Sequence, residues 1–178
     1  MELHPILRLE VEPALGNVFA DVYEVDGKFV VLFSNLVVGE YELHLFNSRD
    51  ELIDYLIDFI ETHGLEKWVD NVGLMKEVTL KLCEKYGIKP RYTIVIKLVG
   101  RKREREQVLQ YLYVLGLEGL KVYTDEIYVP EKYVNEVVEV LKKFNVRYRV
   151  VRREIDVTES INEVCAKLDE DEYKHRIR

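Results

Sequence analysis

Basic and aromatic side chains recur at alternate positions in the second half of this chain. Residues 91–99 read RYTIVIKLV and residues 146–154 read VRYRVVRRE, and two shorter segments lie between them. Successive side chains of a β-strand point to opposite faces, so alternate residues share a face. If the four segments are strands of one sheet, one face carries these side chains: Arg91, Lys97, Lys121, Tyr123, Tyr128, Arg147, Arg149 and Arg153.

Cations and aromatic rings on one sheet surface have a recognised chemistry. Lysine and arginine hold phosphate groups, and tyrosine rings stack on nucleic-acid bases. The run Arg101, Lys102, Arg103 begins a predicted helix, where the helix dipole also favours an anion. We therefore expect these three side chains to extend the same basic surface.

The elements that position these residues follow one order between residues 91 and 154. Hydrophobic periodicity predicts strand, helix, strand, strand, helix and strand, with glycine, proline or asparagine where the elements end. That order is the βαββαβ repeat of a ferredoxin-like domain, in which both helices cover the same side of the sheet. The predicted elements are a strand at 92–99, a helix at 101–115, strands at 120–124 and 127–129, a helix at 130–144 and a strand at 146–154.

The first half of the chain predicts an antiparallel β-meander with helices. Asp26-Gly27 predicts a tight hairpin turn between two strands. In the next strand Tyr41, Leu43 and Leu45 alternate with Glu40, Glu42 and His44, a pattern typical of a strand whose polar side chains face water. Ser48 and Glu51 form a capping box for a helix, residues 66–71 predict a short helical turn, and residues 74–86 predict a further helix.

Charge divides the chain in the same way as the elements. Residues 1–87 hold 7 basic and 17 acidic side chains, whereas residues 88–155 hold 15 and 9. We expect an α+β protein with three parts: an acidic β-meander with helices at 1–87, a ferredoxin-like βαββαβ domain at 91–154, and a C-terminal helix with a frayed tail at 155–178. Residues 88–90 are the expected linker.

Residues that would carry catalysis or bind a metal do not form a known pattern. The four histidines lie in four different predicted elements, and the serines lie in no nucleophile motif. Several acids of the first strands, among them Glu10, Asp21 and Glu42, are expected on a solvated surface. The sequence therefore favours no catalytic residue, no metal site and no cofactor, and an enzyme is the less favoured interpretation.

Composition adds the cellular context. No apolar run reaches the length of a membrane helix, and the N-terminal residues lack the pattern of a signal peptide. We expect a cytoplasmic protein with unpaired cysteines. The scarcity of glutamine beside abundant Glu, Lys and Arg is typical of proteins from hot environments.

The sequence thus predicts a non-catalytic binding protein that uses the basic sheet face of its ferredoxin-like domain, with nucleic acid as the first expected ligand. Two alternatives remain open. The basic face packs on the acidic first half or on a second subunit in a homodimer, or the domain is a regulatory module that binds a small anionic ligand.

Overall fold

The computed structural model describes residues 3–12 and 17–177, with side chains up to residue 171. In these residues the chain forms nine strands in two antiparallel sheets, five α-helices and one turn of 3-10 helix. The predicted α+β class is confirmed. The chain divides into two compact units, Met1–Lys89 with Ile161–Arg178, and Pro90–Ser160. None of the described helices combines the length and the apolar character that a membrane crossing requires.

The first unit contains a five-stranded sheet. Its strand order is β4-β3-β2-β1-β5, and all neighbouring pairs are antiparallel. The strands are β1 (Leu7–Val11), β2 (Val18–Val25), β3 (Lys28–Asn35), β4 (Glu40–Phe46) and β5 (Lys67–Asp70). Asp26 and Gly27 both adopt positive φ, as the predicted hairpin turn between β2 and β3 requires.

This unit also contains the helices α1 (Arg49–His63) and α2 (Leu74–Tyr86), which pack against each other, and α1 covers one side of the sheet, where the rings of Phe59 and Phe33 are 6.1 Å apart. The predicted N-cap Ser48 is confirmed, since its Oγ accepts a hydrogen bond from the Glu51 N–H. The Asp70 carboxylate caps α2 by accepting hydrogen bonds from the backbone N–H groups of residues 72–75. The predicted helical turn at residues 66–71 is wrong: residues 67–70 form β5, because they pair with β1, a distant contact that local periodicity does not reveal.

The orientation of β4 also differs from the expectation. Val31 of β3 is fully buried and pairs with His44, so the polar side chains of β4 share the helix-covered side. The centroid of the Tyr55 ring in α1 lies 5.0 Å from that of the His44 ring and 5.2 Å from that of the Phe46 ring. The apolar residues Tyr41, Leu43 and Leu45 therefore lie on the other side. Pairing with β3 determines this orientation, because the buried face of β3 is already fixed by the core.

The second unit contains the elements predicted for residues 91–154. They are β6 (Tyr92–Val99), α3 (Lys102–Leu115), β7 (Lys121–Tyr123), β8 (Glu126–Pro130), the 3-10 turn Glu131–Tyr133, α4 (Val134–Lys143) and β9 (Arg147–Ile155). The strand order is β7-β8-β6-β9, with antiparallel neighbours throughout. The last helix, α5 (Val157–Ile177), begins in this unit and continues in the first.

Both helices of the second unit pack on the same side of its sheet. The buried cluster joins Ile96 and Leu98 of β6 and the β8 residues Ile127 and Val129 to four helix residues: Val108, Leu112, Val137 and Leu141. α3 ends at Gly116, whose N–H donates to the carbonyl of Tyr113. The chain leaves α4 at Asn145, which adopts a positive φ. This packing leaves the opposite side of the sheet without a helix from this unit.

A β-bulge interrupts β9. Val95 pairs with Arg152, but the next residue, Ile96, pairs with Val150, so Val151 has no partner on β6. An extra residue of this kind reverses the alternation of side chains beyond it. Residues 152–155 therefore point to the faces opposite to those that uninterrupted alternation from Arg147 predicts.

Candidate functional site

The side of the second sheet that faces away from α3 and α4 carries most of the predicted residues, and we call it the open face. Pairing across the sheet arranges its side chains in rows. One row contains Lys121, Tyr128, Val95 and Arg152, and the next contains Tyr123, Glu126, Lys97 and Arg149. Arg147 lies beyond them, opposite Val99. Neighbouring strands are about 4.8 Å apart, so each four-residue row extends about 14 Å.

Arg152 connects three polar groups on the open face. Its guanidinium donates to the Tyr128 hydroxyl at 2.8 Å and to the Glu154 carboxylate, and its Nη2 lies 3.9 Å from Glu126. The hydrogen bond to Glu154 raises the pKa of Arg152 above its ordinary value. Val95, which lies between Arg152 and Tyr128 in the same row, is fully buried. Arg152 thus holds the Tyr128 hydroxyl and is already paired with carboxylates.

Two tyrosine rings form an aromatic step beside this network. The rings of Tyr123 and Tyr128 meet edge to face, with centroids 4.9 Å apart. Tyr128 is half-buried, and its hydroxyl donates to Glu126 at 3.4 Å. Tyr123 remains 55% exposed. The two rings are nearly perpendicular, at 75°, and the more exposed Tyr123 ring offers an aromatic surface on which a planar group can stack.

Three cations of the open face have no acidic partner among the described side chains. Lys121, Arg147 and Arg149 are exposed, and no described carboxylate lies within 4.0 Å of their charged nitrogens. Lys97 differs, because its Nζ lies 3.8 Å from Asp125. The three cations are therefore the groups on this face that are available to an external anion.

The predicted position of Arg153 on the open face is wrong. The bulge at Val151 makes Arg153 pair with Ile94, whose side chain packs against the helix-covered core. The Arg153 guanidinium lies 3.6 Å from the centroid of the Tyr92 ring and forms an ion pair with Glu131 at 3.1 Å. Arg153 therefore contacts the helix side of the sheet.

The remaining predicted cations lie at the margins. Arg91 precedes β6, its N–H donates to the Ser160 hydroxyl at 2.9 Å, and its side chain is exposed. Arg101 is the N-cap residue of α3, and Lys102 and Arg103 follow it in the first turn, all three exposed. Because α3 packs on the covered side, this run does not lie on the open face. It follows Val99, the partner of Arg147, at the same end of the sheet.

Arg152 was not expected on the open face, although the sequence contains a signal for it. Regular alternation places Arg152 with Val150 on the core side. The doublets Val150-Val151 and Arg152-Arg153 break that alternation, as a bulge does. A one-residue insertion at Val151 predicts the observed faces.

Other clusters of the described chain offer less to an anion. An apolar groove of about 480 Å³ is lined by Leu109, Gln110, Tyr113, Val114 and Val122, with no charged side chain. In the first sheet, pairing places Glu10 and Asp21 on one side and Glu42 on the other, so these acids do not converge. No three described His, Cys, Asp or Glu side chains are grouped so that they could hold a metal ion.

Comparison of the chain with known protein families, with curated proteins and with solved structures gave no match.

Proposed function

We propose that the second unit is a ferredoxin-like domain whose open face binds single-stranded nucleic acid. The order of its elements and the strand order β7-β8-β6-β9 support the assignment of the fold. The observation that carries the function is the combination of three cations without described carboxylate partners, Lys121, Arg147 and Arg149, with an exposed tyrosine step on one open sheet. Cations hold the phosphates of a single strand, and tyrosine rings stack on its bases.

Stacking on Tyr123 distinguishes nucleic acid from other polyanions. Replacing Tyr123 with alanine is expected to weaken the binding of a labelled single-stranded oligonucleotide by about 1–3 kcal/mol, because each base that stacks on an aromatic ring contributes about that much. The binding of inorganic polyphosphate, which has no bases, is expected to remain unchanged. Fluorescence anisotropy titrations, with polyphosphate as competitor, measure both affinities.

Tyr113 provides the matched control for this experiment, since it is an exposed tyrosine of the same unit on the helix side. Tyr113→Ala is expected to bind the oligonucleotide as the unchanged protein does. The proposal would be refuted if Tyr123→Ala lost oligonucleotide and polyphosphate binding equally. It would also be refuted if the unchanged protein bound neither single-stranded DNA nor single-stranded RNA.

A further inference from the structure

The side of the first sheet that faces away from α1 has a different character, and we call it the uncovered side because its β4 side chains are exposed among the described residues. Because β4 points its apolar residues away from α1, Tyr41, Leu43 and Leu45 are 62%, 71% and 73% exposed. Val30 and Leu32 of β3 lie in the same rows and are half-buried. Contiguous exposed apolar surface of this kind marks an interaction site, because leaving it in water is unfavourable.

The charges on this side are few and nearly balanced. Pairing places three cations, Arg8, Lys28 and Lys67, and two acids, Glu10 and Asp21, on the uncovered side, and a third acid, Glu12, forms an ion pair with Lys67 at 3.3 Å. The Arg8 guanidinium lies 3.3 Å from the Asp21 carboxylate and 4.4 Å from the centroid of the Phe19 ring. Residues 1–87 as a whole hold ten more acidic than basic side chains. The uncovered side is therefore a nearly neutral surface on an acidic unit.

We propose that a second copy of this chain packs on the uncovered side of the first sheet and forms a homodimer. Two identical copies of a nearly neutral apolar face can approach without the repulsion that the acidic remainder of the unit would produce. Five strands of up to eight residues present on the order of 500 Å² in flat projection. The accessible surface of such a face exceeds its projection and approaches the ~800 Å² per partner of a standard interface.

Leu43→Glu tests the homodimer. Leu43 is exposed in the single chain, so a glutamate there is compatible with folding, whereas in the dimer it would bury a carboxylate in each copy. Sedimentation velocity of the full chain is expected to show a dimer in the unchanged protein, and a dissociation constant raised at least a hundredfold in the variant. Circular dichroism is expected to show the same secondary structure in both proteins.

Val114→Glu is the control, since Val114 is an exposed apolar residue of the second unit. This variant is expected to dimerise like the unchanged protein. A monomeric unchanged protein, including one whose apolar face serves a different protein, contradicts the proposal. A dimer that survives Leu43→Glu, or one that Val114→Glu dissociates equally, contradicts it as well.

Discussion

Replacing Arg147 and Arg149 together with alanine is expected to weaken the binding of a single-stranded oligonucleotide about 25-fold at about 0.1 M salt. Both side chains are exposed on the open face, and neither has a described carboxylate partner. Each phosphate contact with a single strand releases about 0.7 of a condensed counterion, which at that salt concentration corresponds to about fivefold in affinity. Fluorescence anisotropy with a labelled oligonucleotide measures the change.

Lys142→Ala with Lys143→Ala removes the same charge from the C-terminal end of α4, on the helix side of the sheet, and is the matched control. Its affinity is expected to change less than about threefold, since charges away from the bound strand act only through screened, long-range attraction. Both double variants are expected to remain folded in thermal unfolding, and the control loses slightly more stability because Lys143 Nζ lies 5.9 Å from the centroid of the Tyr111 ring and both lysines lie in the last turn of α4. Equal losses of affinity in the two would mean that net charge, and not the open face, determines binding.

The largest effect on stability is expected in the strand that supports this face. Ile96 is fully buried in β6, between β8 and β9, and belongs to the cluster beneath α3 and α4. Ile96→Ala removes buried methyl and methylene groups and leaves a cavity, which costs about 2–5 kcal/mol. The free energy of opening, measured by hydrogen exchange at the amides of β6 and β8, is expected to fall by that amount.

Ile96→Val is the control that shows whether the cost depends on the volume removed or whether any substitution of Ile96 destabilises the protein equally. It removes one methylene group and is expected to cost about 0.5–1.5 kcal/mol. If Ile96→Ala cost no more than Ile96→Val, the residue would not lie at the centre of the core. Oligonucleotide binding by folded Ile96→Val is expected to remain unchanged, because the side chain points away from the open face.

Local patterns predicted the elements of the second unit because each is marked by its own periodicity and terminating residues. The amphipathic spacing of Val134, Val137 and Leu141 predicts a helix, and α4 is found there. Alternation similarly predicts the strand that contains Lys97. The positions of Lys121, Tyr123 and Tyr128 on the open face follow from these elements and their cross-strand partners.

What local patterns did not predict depends on pairing between distant segments. The bulge at Val151 is a property of β9 against β6, and it exchanges the faces of Arg152 and Arg153. Residues 67–70 form a strand because they pair with the edge of β1 that β2 does not occupy. Leu43 and Leu45 point outward because β3 fixes the register of β4, although alternation alone favours the opposite orientation.

The salt dependence of oligonucleotide binding tests the central claim most directly. If Lys121, Arg147 and Arg149 contact phosphates, the logarithm of the association constant is expected to fall linearly with the logarithm of salt concentration, with a slope of about −2. Titrations of the unchanged protein between about 50 and 200 mM salt measure this slope. No binding at the lowest salt concentration, or an affinity that does not change with salt, would contradict nucleic-acid binding by the open face.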